Sequence, residues 1–211
     1  METKYQKLKE LYLRYPVLTE CKEELEAAMD LIMACFRDNG TLLICGNGGS
    51  ASDSDHIVGE LMKEFCRKRS LPEEMRNKLL KTGGEALAEN IRGALPAISL
   101  DAHTALITAI INDIGSDYMY AQQVYGYGRE GDVLFAISTS GNAKNVDLAV
   151  KTAKAMGIRS ILFTGRNGGI IKNSADLSVK LPETETYKIQ ELMLPVFHAL
   201  CLQAEESFFT L

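Results

Sequence analysis

The stretch Thr41-Leu42-Leu43-Ile44-Cys45, followed at once by Gly46-Asn47-Gly48-Gly49-Ser50 and then by a helical pattern through Phe65, decides how the chain is to be read. Five mostly apolar residues have strand length. The glycines allow a tight turn, and the polar start of Ser50–Phe65 leads into an apolar helical face. The same unit recurs. Apolar runs at Ala97–Leu100, Val133–Ile137, Ser160–Phe163 and Leu177–Leu181 alternate with helical patterns at Thr104–Asn112, Tyr118–Tyr125 and Asn142–Met156. Strands that are apolar throughout, each followed by a helix, predict an α/β three-layer sandwich. In it a five-stranded parallel sheet is covered by helices on both faces, with right-handed crossovers.

On either side of this core the periodicity is helical. Leu25, Met29, Ile32, Met33 and Phe36 form a stripe in the N-terminal segment 1–40, where Pro16 divides two helices, Thr19 is placed to cap the second and Asn39-Gly40 ends it. A long C-terminal helix, Ile189 to Phe208, carries Ile189, Leu192, Met193, Val196, Phe197 and Leu200 on one face, with Pro195 predicted to kink it. Segment 66–95 breaks the rhythm. It holds seven Lys/Arg around Gly83-Gly84 and reads as a helical and loop insertion with a solvated face, or as a lid or subunit contact. The whole of 1–211 reads as a single domain.

Composition narrows the function. The 211 residues are 46% hydrophobic and 24% charged, ordinary for a globular chain, and no run approaches the ~20 apolar residues of a membrane helix. Met1–Glu10 lacks a signal-peptide apolar core, so the expected location is the cytoplasm. A net charge of −5 offers no footprint for nucleic acid. Five cysteines at irregular spacing, with no CxxC, point to reduced thiols rather than a disulfide framework or zinc ribbon. Only His56, His103 and His198 are available for proton chemistry near neutrality.

Ligands of open α/β sheets bind beyond the carboxyl ends of strands. Two loops stand there. In the first, Asn47, Gly48, Gly49 and Ser50 let a ligand approach the backbone at a helix start, which suits phosphate. Gly46, Gly48 and Ala51 also satisfy G-x-G-x-x-A, but the next strand ends near Asp101, too late for the acidic residue of a dinucleotide site. In the second, Ser138, Thr139 and Ser140 precede Gly141-Asn142 and a helix, offering three hydroxyls and backbone N–H groups to an anion. A phosphate at one end and hydroxyls along the body describe a sugar phosphate. His56 and Glu60, four apart, share a helix face and read as a surface hydrogen bond or a metal pair. Gln190 and His198 are separated by a rise of about 12 Å on a straight helix. They reach one metal only with the metal between them, with help from Pro195, or from different subunits.

Together, GNGGSASDSDHIVGEL, ISTSGNAKNV, FTGRNGG and KIQELMLPVFHAL closely resemble the sugar isomerase (SIS) domain family. Within it the chain is similar to the sedoheptulose 7-phosphate isomerases, or phosphoheptose isomerases. The resemblance runs from about Leu25 to Leu200, outside the insertion. It implies a flavodoxin-like five-stranded sheet and a homotetramer with interfacial active sites. It also implies one zinc per subunit on His56, Glu60, Gln190 and His198. Glu60 would be the base and His198 the acid of an aldose–ketose isomerisation. The substrate would be held by Asn47, Gly48, Gly49, Ser50, Ser138, Thr139, Ser140, Asn142 and Gln190. Three positions depart from the family pattern. Ala143 replaces a serine, Glu64 stands where an arginine is frequent (Arg67 or Arg69 being near), and His103 stands where a substrate-facing carboxylate is usual, two residues after Asp101. His103 is placed to touch sugar or phosphate. The alternatives are a non-catalytic sugar-phosphate-binding regulator or replication-initiator-associating protein of the same family, and an isomerase or lyase acting on another phosphosugar.

Overall fold

The computed structural model describes residues 3–209. In chain order its elements are α1 (Gln6–Arg14), α2 (Lys22–Arg37), β1 (Leu42–Gly46), α3 (Gly49–Met62), α4 (Glu73–Lys81), α5 (Glu85–Asn90) and β2 (Ala97–Ser99). There follow α6 (Thr104–Asp113), α7 (Met119–Tyr127), β3 (Val133–Ile137), α8 (Lys144–Ala155), β4 (Arg159–Gly165), β5 (Leu177–Leu181) and α9 (Thr186–Phe208). All strand pairs are parallel, in the order β2-β1-β3-β4-β5. That is the flavodoxin-like order, with its switch point between β1 and β3.

Alternation along the strands divides two cores. Leu42 and Ile44 of β1, with Phe135, Ile161 and Phe163, face α1, α2, α3 and α9. Phe135 and Phe163 stack with centroids 4.4 Å apart, and Phe197 of α9 meets both edge-on at 5.6 and 5.4 Å. This places α9 against the sheet. Leu43, Cys45, Leu134 and Leu162 face Tyr120 and Val124 of α7 and Val146, Ala149 and Val150 of α8. Strands buried on both faces explain their continuous apolar runs.

Several local expectations are corrected. Thr19 does not cap α2. It lies in a 3-10 turn (Pro16–Cys21), its hydroxyl donating to Pro16 O at 2.7 Å, and Cys21 precedes α2. α2 does end at Asn39-Gly40, but Asn39 is the left-handed residue (φ 58°). Gly40 N–H closes onto Cys35 O at 2.8 Å and Asn39 N–H onto Phe36 O, a Schellman arrangement. α9 begins at Thr186 rather than Ile189, with Pro195 inside it. The insertion folds as α4 and α5, with no buried residue in α4. Its charges are not all solvated, however. Arg69 is fully buried and paired with Glu205 at 2.7 Å. The cysteines are all free, and Cys66 alone of the five is exposed.

Candidate active site

The carboxyl ends of β1 and β3 carry the two predicted loops, and the structure ties them together. Asn47 Nδ2 donates to Asn145 Oδ1 at 2.9 Å and Asn145 Nδ2 donates back to Asn47 Oδ1 at 2.9 Å. This reciprocal amide pair spans the switch point. Asn47, Gly48, Gly49 and Ser140 are exposed, Thr139 is half-buried, and Ser50 and Ser138 are buried. α8 starts without a side-chain cap, because Ala143 has no donor or acceptor to offer. Val146 N–H is taken by Asn145 Oδ1 at 3.0 Å, so of the first turn the Lys144 and Asn145 N–H groups are the ones that face outward from the helix start.

The motif Gly165-Arg166-Asn167-Gly168-Gly169 has a structural part. Gly141 (φ 65°) packs face to face on Gly168 and Gly169, whose carbonyl and amide leave no space for a Cβ. Ile171 N–H donates to Gly141 O at 3.0 Å and Ile170 N–H to Asn142 Oδ1 at 3.0 Å. The Asn142 side chain, read from sequence as a substrate contact, therefore already binds the neighbouring loop, and also donates to Ser140 O. His103 likewise has a structural role. Its Nδ1 accepts Leu106 N–H at 3.1 Å as the cap of α6. That contact puts the proton of the neutral ring on the other nitrogen, Nε2.

The chemistry-bearing side chains gather where α3 and α9 lie side by side. His198 Nε2 stands 3.3 Å from His56 Nε2, and His56 Nε2 is 3.5 Å from Glu60 Oε1. Glu60 is also paired with Lys63 at 2.8 Å. Asp53, Ile57, Leu194, Phe197 and Cys201 complete the lining, and a cleft between α1 and α9 with Lys7, Arg14 and Tyr15 opens beside His198. Burial, reinforced by the facing His56, holds the His198 imidazole below its ordinary range against the pull of Glu60. Gln190 lies elsewhere on α9. Its Nε2 would be 2.5 Å from a Cβ on Gly49, so its amide covers the first loop. The pairs Gly49–Gln190 and His56–His198 run in step, so α3 and α9 are parallel neighbours.

The donor set suits zinc in kind, with two imidazole nitrogens and a carboxylate. The 3.3 Å nitrogen separation matches the edge of roughly 3.3–3.4 Å between two tetrahedral ligands at 2.0–2.1 Å bond lengths. Among the described residues, no group of three His, Cys, Asp or Glu side chains is already set around a metal.

Three positioning features escaped the sequence reading. Arg69 Nη1 donates to Leu61 O at 2.6 Å and Nη2 to Glu60 O at 2.8 Å, so it caps the end of α3 beneath Glu60. Arg67 pairs with Glu206, so neither arginine stands free to take the place of the missing one. Tyr120 contacts Gly46, Asn47 and Asp101 under the first loop. Asn145 holds Asn47. Only Asp101 had a legible signal, a carboxylate at the carboxyl end of a strand.

Models of the SIS domain match residues 93–203 and 12–85. The chain is 35% identical over 187 residues to the phosphoheptose isomerase of Clostridium acetobutylicum, spanning 89% of this chain and 84% of that one. It is 37% identical to that of Helicobacter pylori, spanning 90% and 88%. Among solved structures, the phosphoheptose isomerase of Neisseria gonorrhoeae is 32% identical with TM-score 0.68, covering 92% and 97%. That of Francisella tularensis is 27% identical with TM-score 0.73, covering 94% and 98%.

Proposed function

The chain belongs to the SIS domain family, and on that premise we propose that it is a sugar-phosphate aldose–ketose isomerase converting sedoheptulose 7-phosphate to D-glycero-D-manno-heptose 7-phosphate. The observation that carries the reading is the meeting of His198 with His56 and Glu60 across 142 residues of chain. A base, an acid and a second imidazole thereby share one face, two of them on the helix that begins at the first loop.

Isomerisation moves a proton between C1 and C2 through an enediol. Glu60 takes the carbon proton. His198, kept neutral near pH 7 by its surroundings, serves the oxygen as donor once its ring carries the proton, and as acceptor in the reverse sense. Ser138, Thr139 and Ser140 bind the phosphate with the uncapped start of α8, and Asn47 and Ser50 bind hydroxyls. Gln190, lying over Gly49, orients the same end of the sugar. Zinc would be held by His56, Glu60 and His198, with Gln190 completing the set on closure or assembly. When bound it supplies Lewis-acid polarisation of the carbonyl. From Gly49 to Glu60 the helix rises about 16 Å, which favours a site shared between subunits of a homotetramer. His103, engaged as a helix cap where the family usually has a carboxylate, is what favours a different phosphosugar as the second reading.

Metal analysis together with an isomerisation assay on sedoheptulose 7-phosphate tests the proposal. The wild type should carry one zinc per subunit and turn the sugar over, and Glu60→Gln and His198→Asn should lose nearly all turnover. A wild type that binds the sugar but never converts it refutes the enzyme. Conversion of only another phosphosugar refutes the heptose assignment.

A further inference from the structure

Beneath the first loop, one tyrosine proton faces two acceptors. Tyr120 Oη, almost wholly buried, lies 2.5 Å from the Gly46 carbonyl oxygen and 2.5 Å from Asp101 Oδ1. A phenol has a single proton to donate. Two oxygen–oxygen contacts of that length each require a proton between them. The Tyr120 proton can serve Gly46 O, whose carbonyl has none of its own. The contact to Asp101 then needs a proton from Asp101. We infer that Asp101 stands as a carboxylic acid donating to Tyr120 Oη, that Tyr120 in turn donates to Gly46 O, and that this two-proton relay is what positions Asn47 for the sugar phosphate.

The remaining contacts agree with this arrangement. Asp101 Oδ2 accepts Gly46 N–H at 3.3 Å, so Asp101 and Tyr120 grip both polar groups of Gly46. Tyr120 Oη is also 3.3 Å from Asn47 Oδ1, the atom that accepts from Asn145. The charged group facing Asp101 does not favour its ionised form. Asp55 of α3 adds repulsion, and the Cys45 thiol of β1 and the Tyr120 phenol are both driven toward their neutral forms by burial. Ser54 on α3 hydrogen-bonds the carboxyl, which favours its charge, and Ser99 Oγ on β2 accepts the Asp101 backbone N–H at 3.2 Å. Burial pushes the Asp101 carboxyl up to about 6 despite its hydrogen bonds. When Asp101 ionises, one of the two 2.5 Å contacts loses its proton, and the Gly46-Asn47 turn must relax. Asp101 and Tyr120 are thus positioning residues. Their role in binding rests on the sugar-phosphate reading above, whereas the proton count does not.

The test uses the full chain as wild type, Asp101→Asn and Tyr120→Phe. An asparagine at 101 reproduces the protonated acid, with its amide N–H toward Tyr120 and its carbonyl toward Gly46. Infrared difference spectra between pH 5 and 8 should show a carboxylic-acid carbonyl band that fades as pH rises and is missing from Asp101→Asn. The Kd for sedoheptulose 7-phosphate should be the same in wild type and Asp101→Asn at pH 5. By pH 8 it should be roughly three- to tenfold weaker in wild type, the loss of one hydrogen bond. The ratio cancels titration of the ligand's own phosphate. Tyr120→Phe should bind about tenfold more weakly at pH 5 with an unchanged circular dichroism spectrum. A wild-type to Asp101→Asn ratio that stays flat, no acid band from Asp101 at pH 5, or wild-type affinity in Tyr120→Phe each overturns the inference. An intact infrared titration with no sugar binding by any of the three proteins overturns the sugar-phosphate reading and the positioning role with it, leaving the proton count standing.

Discussion

Arg69→Met should be the most damaging single change outside the sheet. Arg69 has no exposed surface, and its guanidinium makes three hydrogen bonds, to Glu205 Oε1, Leu61 O and Glu60 O. The Phe209 ring lies 4.9 Å from it. Methionine fills much of the volume but leaves two buried carbonyls without donors and Glu205 without its counter-ion. Breaking a buried pair from one side costs about 3–5 kcal/mol. Glu205 would keep N–H donors from Phe65, Cys66 and Arg67 at 2.8, 2.9 and 3.1 Å, so the lower end applies. With a urea slope of about 3 kcal/mol per molar, 3 kcal/mol moves the unfolding midpoint down by roughly 1 M. The comparison is made at one fixed protein concentration, since assembly shifts apparent stability. Glu205→Gln should cost a similar amount, and the double variant should fall short of the sum by about 1–3 kcal/mol, the coupling of contacting residues. A midpoint within about 0.3 M of wild type, or strict additivity, would refute the claim that this pair pins the end of α3. Burial alone would push the Glu205 carboxyl up, but hydrogen bonds from Phe65, Cys66 and Arg69 hold it below the usual range. Its stabilisation is therefore present above about pH 4.3, the unfolded value, and fades as pH falls further. Arg69→Met should flatten that acid limb.

Gly141→Ala forces a side chain into left-handed backbone and against Gly168 and Gly169; an unfolding loss of about 2–4 kcal/mol and a weaker Kd for phosphosugars should appear together in melts and calorimetry. Asn145→Ala releases Asn47, and a rise in KM of about tenfold with kcat nearly kept is the expected steady-state result. His198 is held below its ordinary value, so the unfolded chain takes up that proton first as pH falls. Stability should drop on acidification through about pH 6.5, and His198→Gln should lessen that drop in thermal melts at pH 7.5 and 6.

Much of the fold was written locally. Apolar runs alternating with helical patterns imply the parallel sheet because burial on both faces needs apolar strands, although β4 reaches β5 through the 3-10 turn Ile171–Asn173 and no α-helix. The same pattern leads to the loops at Gly46–Ser50 and Ser138–Asn142. Boundaries moved only by a few residues, as with Thr186–Phe208 for a helix read from Ile189. What stayed hidden depends on partners far along the chain. Arg69 looked like one of seven solvated cations until Glu205, from the last helix, was beside it. Tyr120 had no signal of its own within the Tyr118–Tyr125 helical pattern, and its role comes from meeting Asp101. Asn142 and His103 carry donors and acceptors suited to a ligand, and composition could not show that neighbouring backbone takes them first. The spacing of Gln190 and His198 raised the question of how both could meet one site. The structure separates them, putting one over Gly49 and the other against His56.

Central to the account is Glu60 as the base that moves a carbon-bound proton. It is tested most directly by following sedoheptulose 7-phosphate in deuterated water by proton magnetic resonance. Solvent deuterium should enter the sugar at C1 or C2 with wild type, and none should enter with Glu60→Gln, while that variant still binds the phosphosugar. Wild-type conversion without any deuterium incorporation, or incorporation at the wild-type rate by Glu60→Gln, would contradict it.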